Sequence, residues 1–402
     1  MLTFFPELYP DEWWYSVLCR YAVRSGLPMY KIKEELFGGN KRINAGLVPG
    51  NSCYKVISQL PRGTFDVENV LLNNTLLPYF MRMYPEEIKI ANLELLKHGN
   101  HMEKTKFEVK GADGISGPQY CPICYKEDID RYGEPYWHLE HQIPLMQVCI
   151  KHRCHLVRVP ASSRVLAVDF IPLSSVKCSA PNLEYKPWEL ELSQVLFDLL
   201  RLPYLTGPTI GYSNLQLALA AKYRSEQVRQ KPTFDSKKVK EACANFFSED
   251  IVQFYFAKGP KGTYSIVSKW KCRSPERYAL LCVLVGITVQ QLFGPRLNFE
   301  DTKAKRLEEL AMSGLPYTRE EVSALLNVNL KSVKKLAELN NVEAVWTRRG
   351  NPGQRLECVS VAFSKDEMQK LCQAVRSNQK RVIAAYIRKL VLERVGQPTD
   401  IK

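Results

Sequence analysis

Two short pairs of metal-binding residue types constrain this chain more than anything else in it: Cys121-Pro-Ile-Cys124 and, after 24 intervening residues, Cys149-Ile-Lys-His152. Two residues between ligands let the backbone fold back and set both side chains on one side of an ion. Two such turns supply three sulfurs and one imidazole, the donor set of a closed tetrahedral zinc site. A closed site keeps no open coordination position, so one structural Zn2+ and no metal catalysis is the expectation. The expected ligands are Cys121, Cys124, Cys149 and His152. Cys154 and His155 follow directly, and the spacing leaves open that Cys154 replaces Cys149 or that His155 replaces His152. His138 and His141 lie between the pairs and are expected to pack and hydrogen-bond beside the site.

Catalytic readings of the same residues fail on order. Zinc deaminases place H-x-E before P-C-x-x-C. Here His138-Leu-Glu140 follows the cysteine pair, and the proline sits inside it. A Cys–His nucleophile needs a third, orienting group, and the sequence offers no sign of one. The expectation is a protein that is not an enzyme.

The chain has 402 residues, enough for two to three domains. It lacks an apolar run of the ~18 residues that a membrane span needs, and its first residues do not read as a signal peptide. A cytosolic protein without a membrane partner is expected, and its twelve cysteines are then read as metal ligands or small buried apolar groups rather than disulfides. The net charge of +14 is unevenly placed: residues 1–220 balance to zero, and the whole excess lies in the last 182 residues. A neutral half joined to a basic half suggests a polyanion-binding region beside something else.

The periodicity is mainly helical, and the expected architecture is mainly α and multidomain. Trp14, Val17, Leu18, Tyr21 and Ala22 make one apolar helical face between Pro10-Asp11 and Gly26. Further helices are expected over Tyr30–Leu36, Cys53–Leu60, Phe65–Leu72, Pro85–Lys97, Trp188–Leu202, Lys237–Phe247 and Pro275–Phe293, with extended or irregular chain over 161–185. The division expected is a helical domain over 1–110, a zinc-finger module over 111–160, a connecting helical region over 161–230, a basic helical domain over 231–300 and a helix-turn-helix-like domain over 301–402. In the last of these, Thr318-Arg-Glu-Glu321 fits a capping box. Helices over Arg319–Leu326 and Leu330–Leu339, joined at Val328-Asn329, would set a second helix against a DNA groove. Lys331, Ser332, Lys334 and Lys335 would face outward from it. Trp346 to Arg355 reads as strand, tight turn, strand, a small hairpin wing with Arg348, Arg349 and Arg355 available to phosphate. Lys269, Lys271 and Arg273 belong to a further basic stretch (258–277) that suits the DNA backbone. Asp366–Val395 reads as two amphipathic helices.

At this point a resemblance emerges. Tyr120-Cys-Pro-Ile-Cys124, Arg131-Tyr-Gly-Glu-Pro-Tyr-Trp-His138, His141-Gln-Ile-Pro144 and Cys149-Ile-Lys-His152 together resemble the zinc-finger block of the TnsD/TniQ family. Tyr9-Pro-Asp-Glu12 with Tyr15-Ser16 and Arg20 resembles the family's N-terminal start, and Asn74-Thr-Leu-Leu-Pro78 a further element of its TnsD branch. The likeness covers roughly residues 5–160. It implies a role in selecting transposon target sites: the TnsD branch reads a specific duplex DNA site and recruits the AAA+ regulator TnsC, and TniQ adaptors instead link a CRISPR RNA-guided effector complex to that ATPase. It also implies a place on the nucleoid in a bacterial cytoplasm. An adaptor that delegates reading to guide RNA needs no DNA reader of its own, so the basic C-terminal half favours direct reading. Trp13, Trp14 and the first helix are candidate TnsC contacts on the resemblance alone. A zinc-finger regulator unconnected with transposition is the remaining reading.

Overall fold

The apolar face over residues 14–22 folds as helix α1, Trp14–Ser25. Trp14, Val17, Leu18 and Tyr21 are buried, and the helix ends at Gly26 with φ +62°, a left-handed position that glycine adopts without steric cost. The computed structural model describes residues 2, 4–38, 51–102, 117–161, 169–208, 213–223, 234–256 and 273–295, and the short strands 317–318, 344–347 and 356–359. The fold is mainly helical, with thirteen α-helices among the described residues.

After α1 come α2 (Met29–Phe37), α3 (Ser52–Ile57), α4 (Val67–Asn73), α5 (Leu77–Met81) and α6 (Glu86–Lys97). Asp66 caps α4 by accepting from the Asn69 amide at 2.8 Å, satisfying one of the donors that a helix start leaves free. Strand β1 (Gln119–Tyr120) leads into α7 (Pro122–Tyr132) and pairs antiparallel with β2 (Val157–Arg158). Next come α8 (Pro187–Arg201), α9 (Asn214–Lys222), α10 (Ser236–Phe246), α11 (Glu249–Phe256), α12 (Pro275–Val285) and α13 (Val289–Phe293). The single helix expected over Pro275–Phe293 is two. Gly286, at φ +73°, closes α12, and Thr288 starts α13 with a capping box to Gln291. Strands β3 (Tyr317–Thr318), β4 (Ala344–Thr347) and β5 (Leu356–Val359) form one antiparallel sheet in the order β3-β5-β4.

The chain divides into two units: residues 1–211 with 240–294, and residues 212–239 with 295–402. The first unit is built on buried apolar helices. Nearly all of α12 is buried, and it packs against α8. Trp188 at the start of α8 meets Phe247 edge to face, with ring centroids 5.4 Å apart. Polar groups inside this unit join distant segments. The Arg82 guanidinium, fully buried, donates to the carbonyls of Leu199, Leu202, Pro203 and Thr206 at 2.7–2.9 Å. These include last-turn carbonyls of α8, which have no partner within a helix. Lys89 Nζ reaches the Thr206 carbonyl at 2.8 Å.

A second buried polar cluster joins the N-terminal segment to residues 134–139. Arg20 Nη1 lies 2.8 Å from Glu12 Oε2, and Arg20 Nε lies 2.8 Å from Glu134 Oε1. The same guanidinium sits 3.5 Å over the Tyr9 ring, which stacks on Tyr132 at 4.4 Å. Backbone bonds reinforce the join: the Trp13 amide donates to the Trp137 carbonyl (3.0 Å), Leu139 to Asp11 (2.8 Å) and Trp14 to Asn74 (2.7 Å). Trp13 and Trp14 are each 1% exposed and belong to this core. As candidate docking residues they are therefore corrected: a buried indole presents nothing to a partner.

Burial pushes the Glu12 carboxyl up to about 7, against the opposing pull of Arg20. A carboxyl with a raised folded-state pKa stabilises the fold fully below its unfolded value near 4.5, and that contribution is lost as pH rises through about 7. Replacing Arg20 by Met removes the cation that offsets this loss. We expect Arg20→Met to cost about 3–5 kcal/mol at pH 8, where Glu12 is left as an unpaired buried charge, and clearly less at pH 5.5, where it takes up a proton. Urea unfolding midpoints of both proteins across this range check it; a cost that is independent of pH would contradict the assignment.

Candidate metal centre

Cysteine at the mouth of a helix is the local design of this site. Cys121 is the N-cap of α7, and its sulfur accepts from the Cys124 amide at 3.4 Å. Pro122 occupies the first helical position, where a missing N–H costs nothing. One turn of helix then returns Cys124 to the same side. The second pair sits on a tight loop. Val148 and His155 form a bridge across its base, the Cys149 amide donates to the Cys154 carbonyl (2.9 Å), and the Arg153 amide donates to the Cys149 carbonyl (2.7 Å). Arg153 holds the left-handed turn at φ +49°, a position where a residue with a Cβ is strained.

These two elements bring Cys121, Cys124, Cys149 and His152 together, with all four donor atoms within 4.8 Å of one another. His152 Nδ1 lies 3.4 Å from Cys121 Sγ, 3.2 Å from Cys124 Sγ and 3.8 Å from Cys149 Sγ, and Cys124 and Cys149 are 3.9 Å apart. Tetrahedral coordination at ordinary zinc bond lengths sets edges of about 3.8 Å between sulfurs and about 3.5 Å from sulfur to nitrogen. The cluster could therefore hold a metal ion, on the quartet expected from spacing. His155 is directed elsewhere, with Nε2 3.6 Å from Glu189. Cys154 is also buried here, its sulfur 3.3 Å from that of Cys121.

The electrostatics favour a cation. Hydrogen bonds from the Cys124 and Cys149 thiols drive the Cys121 thiol well below its ordinary range, so one thiolate forms readily. Facing that sulfur drives Cys124 far up and Cys149 up to about 12. Protein groups alone accommodate one negative sulfur and resist the next, a conflict that a bound divalent ion removes.

The histidines flanking the pairs are placed differently from one another. His138 Nε2 bonds Asp128 of α7 at 3.0 Å and stacks on Tyr136. His141 is fully buried, its pKa lowered to about 3 by burial, and neither ring nitrogen has a hydrogen-bond partner. Among the described residues, the carboxylate that touches a candidate ligand is Glu127, whose Oε1 lies 3.0 Å from His152 Nε2. Nothing in the cysteine spacing pointed to it, although its place one helical turn after Cys124 sets it over the site.

The strap of chain over 169–186 closes one side. Its backbone is held by aromatic side chains: Trp137 Nε1 donates to Ile171 O (2.8 Å), Tyr125 Oη to Val176 O (3.1 Å) and Tyr120 Oη to Lys177 O (3.3 Å). Of the candidate DNA contacts, Lys269, Lys271, Lys331, Ser332, Lys334, Lys335, Arg348, Arg349 and Arg355 lie outside the described residues, as do both helix-turn-helix segments and Asp366–Val395. Arg273 is described. Its guanidinium donates to the Met83 carbonyl and lies 5.0 Å over the Tyr84 ring, so it is engaged within the first unit. We expect Glu127→Ala to weaken metal binding about 10–100-fold while leaving the fold intact, as loss of a carboxylate behind a histidine ligand does elsewhere. A competitive chelator titration checks this, and an unchanged affinity would refute a supporting role for Glu127.

Comparison with known proteins places this geometry. Residues 3–156 match the family model described as TniQ. The chain is also similar to the Transposon Tn7 transposition protein TnsD of Escherichia coli, 23% identical over 152 residues. That match takes in 37% of this chain and 30% of the relative, so it spans under a third of the relative's length. The matched region contains the metal-donor cluster and the Glu12–Arg20–Glu134 join alike, and it is over this region that the chain is similar to the TniQ family.

Proposed function

We propose that this chain is a target-site selector of a transposon, which binds a specific duplex DNA site and recruits a TnsC-like AAA+ ATPase. The observation that carries the reading is the TniQ match over residues 3–156, supported by the likeness to a protein named for Tn7 transposition. The first unit holds one structural Zn2+ on Cys121, Cys124, Cys149 and His152. Soft thiolates with one imidazole in tetrahedral array suit zinc, and four protein ligands leave no position for catalysis. The chain then acts by binding and not as an enzyme.

The DNA-reading role falls to the second unit. Strands β4 and β5 pair with Ala344 opposite Val359 and Thr347 opposite Leu356. This supports the hairpin read from sequence, with Arg348, Arg349 and Arg355 in the connection between the strands. Tyr317 and Thr318 pair with Val359 and Cys358, so the strand before the helix-turn-helix pattern lies beside the hairpin's second strand. Residues 319–343 between β3 and β4 carry that pattern, and a basic helix with a basic hairpin beside it suits groove and phosphate together.

The test is DNA binding by the full chain without guide RNA, across a salt series and against random competitor. We expect a discrete site that resists competitor by ~10³-fold or more. The variant R348A/R349A/R355A should bind more weakly on every sequence and lower the salt slope by about one for each phosphate that is no longer neutralised. Weak, sequence-independent binding at every salt would overturn direct reading and favour an adaptor that docks on an RNA-guided effector complex.

A further inference from the structure

The metal centre holds one donor more than a tetrahedral ion needs. Cys154 is fully buried in the same cluster as Cys121, Cys124 and Cys149. Its sulfur lies 3.3 Å from Cys121 Sγ, closer than Cys149 lies to Cys124. A fourth sulfur therefore stands beside the Cys121–Cys124–Cys149–His152 group, against Cys121.

We infer that Cys154 is a reserve ligand, able to take the place of Cys149 on the metal. Three features choose Cys149 as the ligand exchanged. Cys121 and Cys124 are fixed by the first turn of α7, and His152 is held from behind by Glu127 at 3.0 Å. Cys149 and Cys154 instead share one tight loop, tied by the Cys149 amide to the Cys154 carbonyl, so exchange moves side chains and leaves the loop in place. Charge gives the third reason. One thiolate replacing another leaves the charge of the centre unchanged, whereas Cys154 in place of His152 would add a buried negative charge, which is costly. The exchange balances: the metal–sulfur bond to Cys149 is replaced by one to Cys154, and the proton that leaves the Cys154 sulfur is matched by the one that the released Cys149 sulfur takes up.

The inference rests on the zinc reading of the site, and the experiment separates the two. Full-length wild type, C149S, C154S and C149S/C154S are purified, their metal content is measured, and Zn2+ affinity is read by chelator competition. Co2+ substitution then reports the number of thiolate ligands through the intensity of its sulfur-to-metal charge-transfer band. Wild type should carry one ion with a three-thiolate spectrum. C149S should keep one ion, the same three-thiolate intensity and an affinity within ~10-fold of wild type, and the double variant should fall at least ~100-fold. A C149S protein that loses its ion, or shows two thiolates, overturns the role of Cys154 and leaves the zinc reading standing. A wild type without metal overturns both. Should C149S fail to accumulate, C154S decides: a reserve ligand recaptures a half-released ion, so its loss should speed metal transfer to excess chelator about 10-fold, and an unchanged rate overturns the inference.

Discussion

Three thiols and an imidazole with donor atoms within 4.8 Å of one another form a cluster that could hold a metal ion. Several elements of the first unit meet at that cluster. The helix α7 starts on one ligand, the β1–β2 pair brackets the site, and the 169–186 strap is bonded to aromatic side chains on either side of it. None of these pieces is long. Two-residue strands and an irregular strap bury little apolar surface of their own, so on the zinc reading proposed above metal binding would be coupled to folding.

Around the centre, polar groups do the joining that apolar packing leaves undone. Arg20 gathers Glu12, Glu134 and the Tyr9 ring, and so fixes residues 7–24 against residues 132–139. Arg82 satisfies carbonyls at the end of α8 from the C-cap of α5, more than a hundred residues earlier. Buried pairs of this sort add little net stability, because desolvation offsets attraction. What they add is specificity: a carboxylate or carbonyl left without its partner is costly, so alternative packings are disfavoured. The motif residues Tyr9, Glu12, Arg20 and Asn74 thereby acquire a physical reason. Asn74 lies more than fifty residues from the other three, and its side-chain amide donates to the Glu12 carbonyl in the same join.

Local features were legible in the sequence and long-range ones were not. The closeness of Cys121, Cys124, Cys149 and His152 is a matter of spacing within two turns, and α1 follows from a 3.6-residue apolar period ended by Gly26. The paired strands β4 and β5 likewise flank the Gly/Pro-containing stretch of sequence that marked them, which lies outside the described residues. By contrast, Glu127 and Cys154 acquire meaning from what faces them. Glu127 reads as one more exposed helical acid until His152 arrives from another loop. The packing of α12 on α8 unites residues 240–294 with the first unit, although the charge pattern had set 231–300 apart; net charge describes a surface and says nothing of which apolar faces meet. The apolar run at Pro275–Phe293 hid its own break, since Gly286 is flanked in sequence by apolar residues on either side.

The most direct measurement is the metal content of the purified chain, followed by circular dichroism as the ion is withdrawn with a strong chelator. One zinc per chain is expected, with loss of the near-ultraviolet signal from the buried tryptophans as it leaves, and recovery when zinc is returned. A chain that carries no metal, or that keeps its aromatic signal unchanged after complete removal, would contradict a first unit organised by its metal centre.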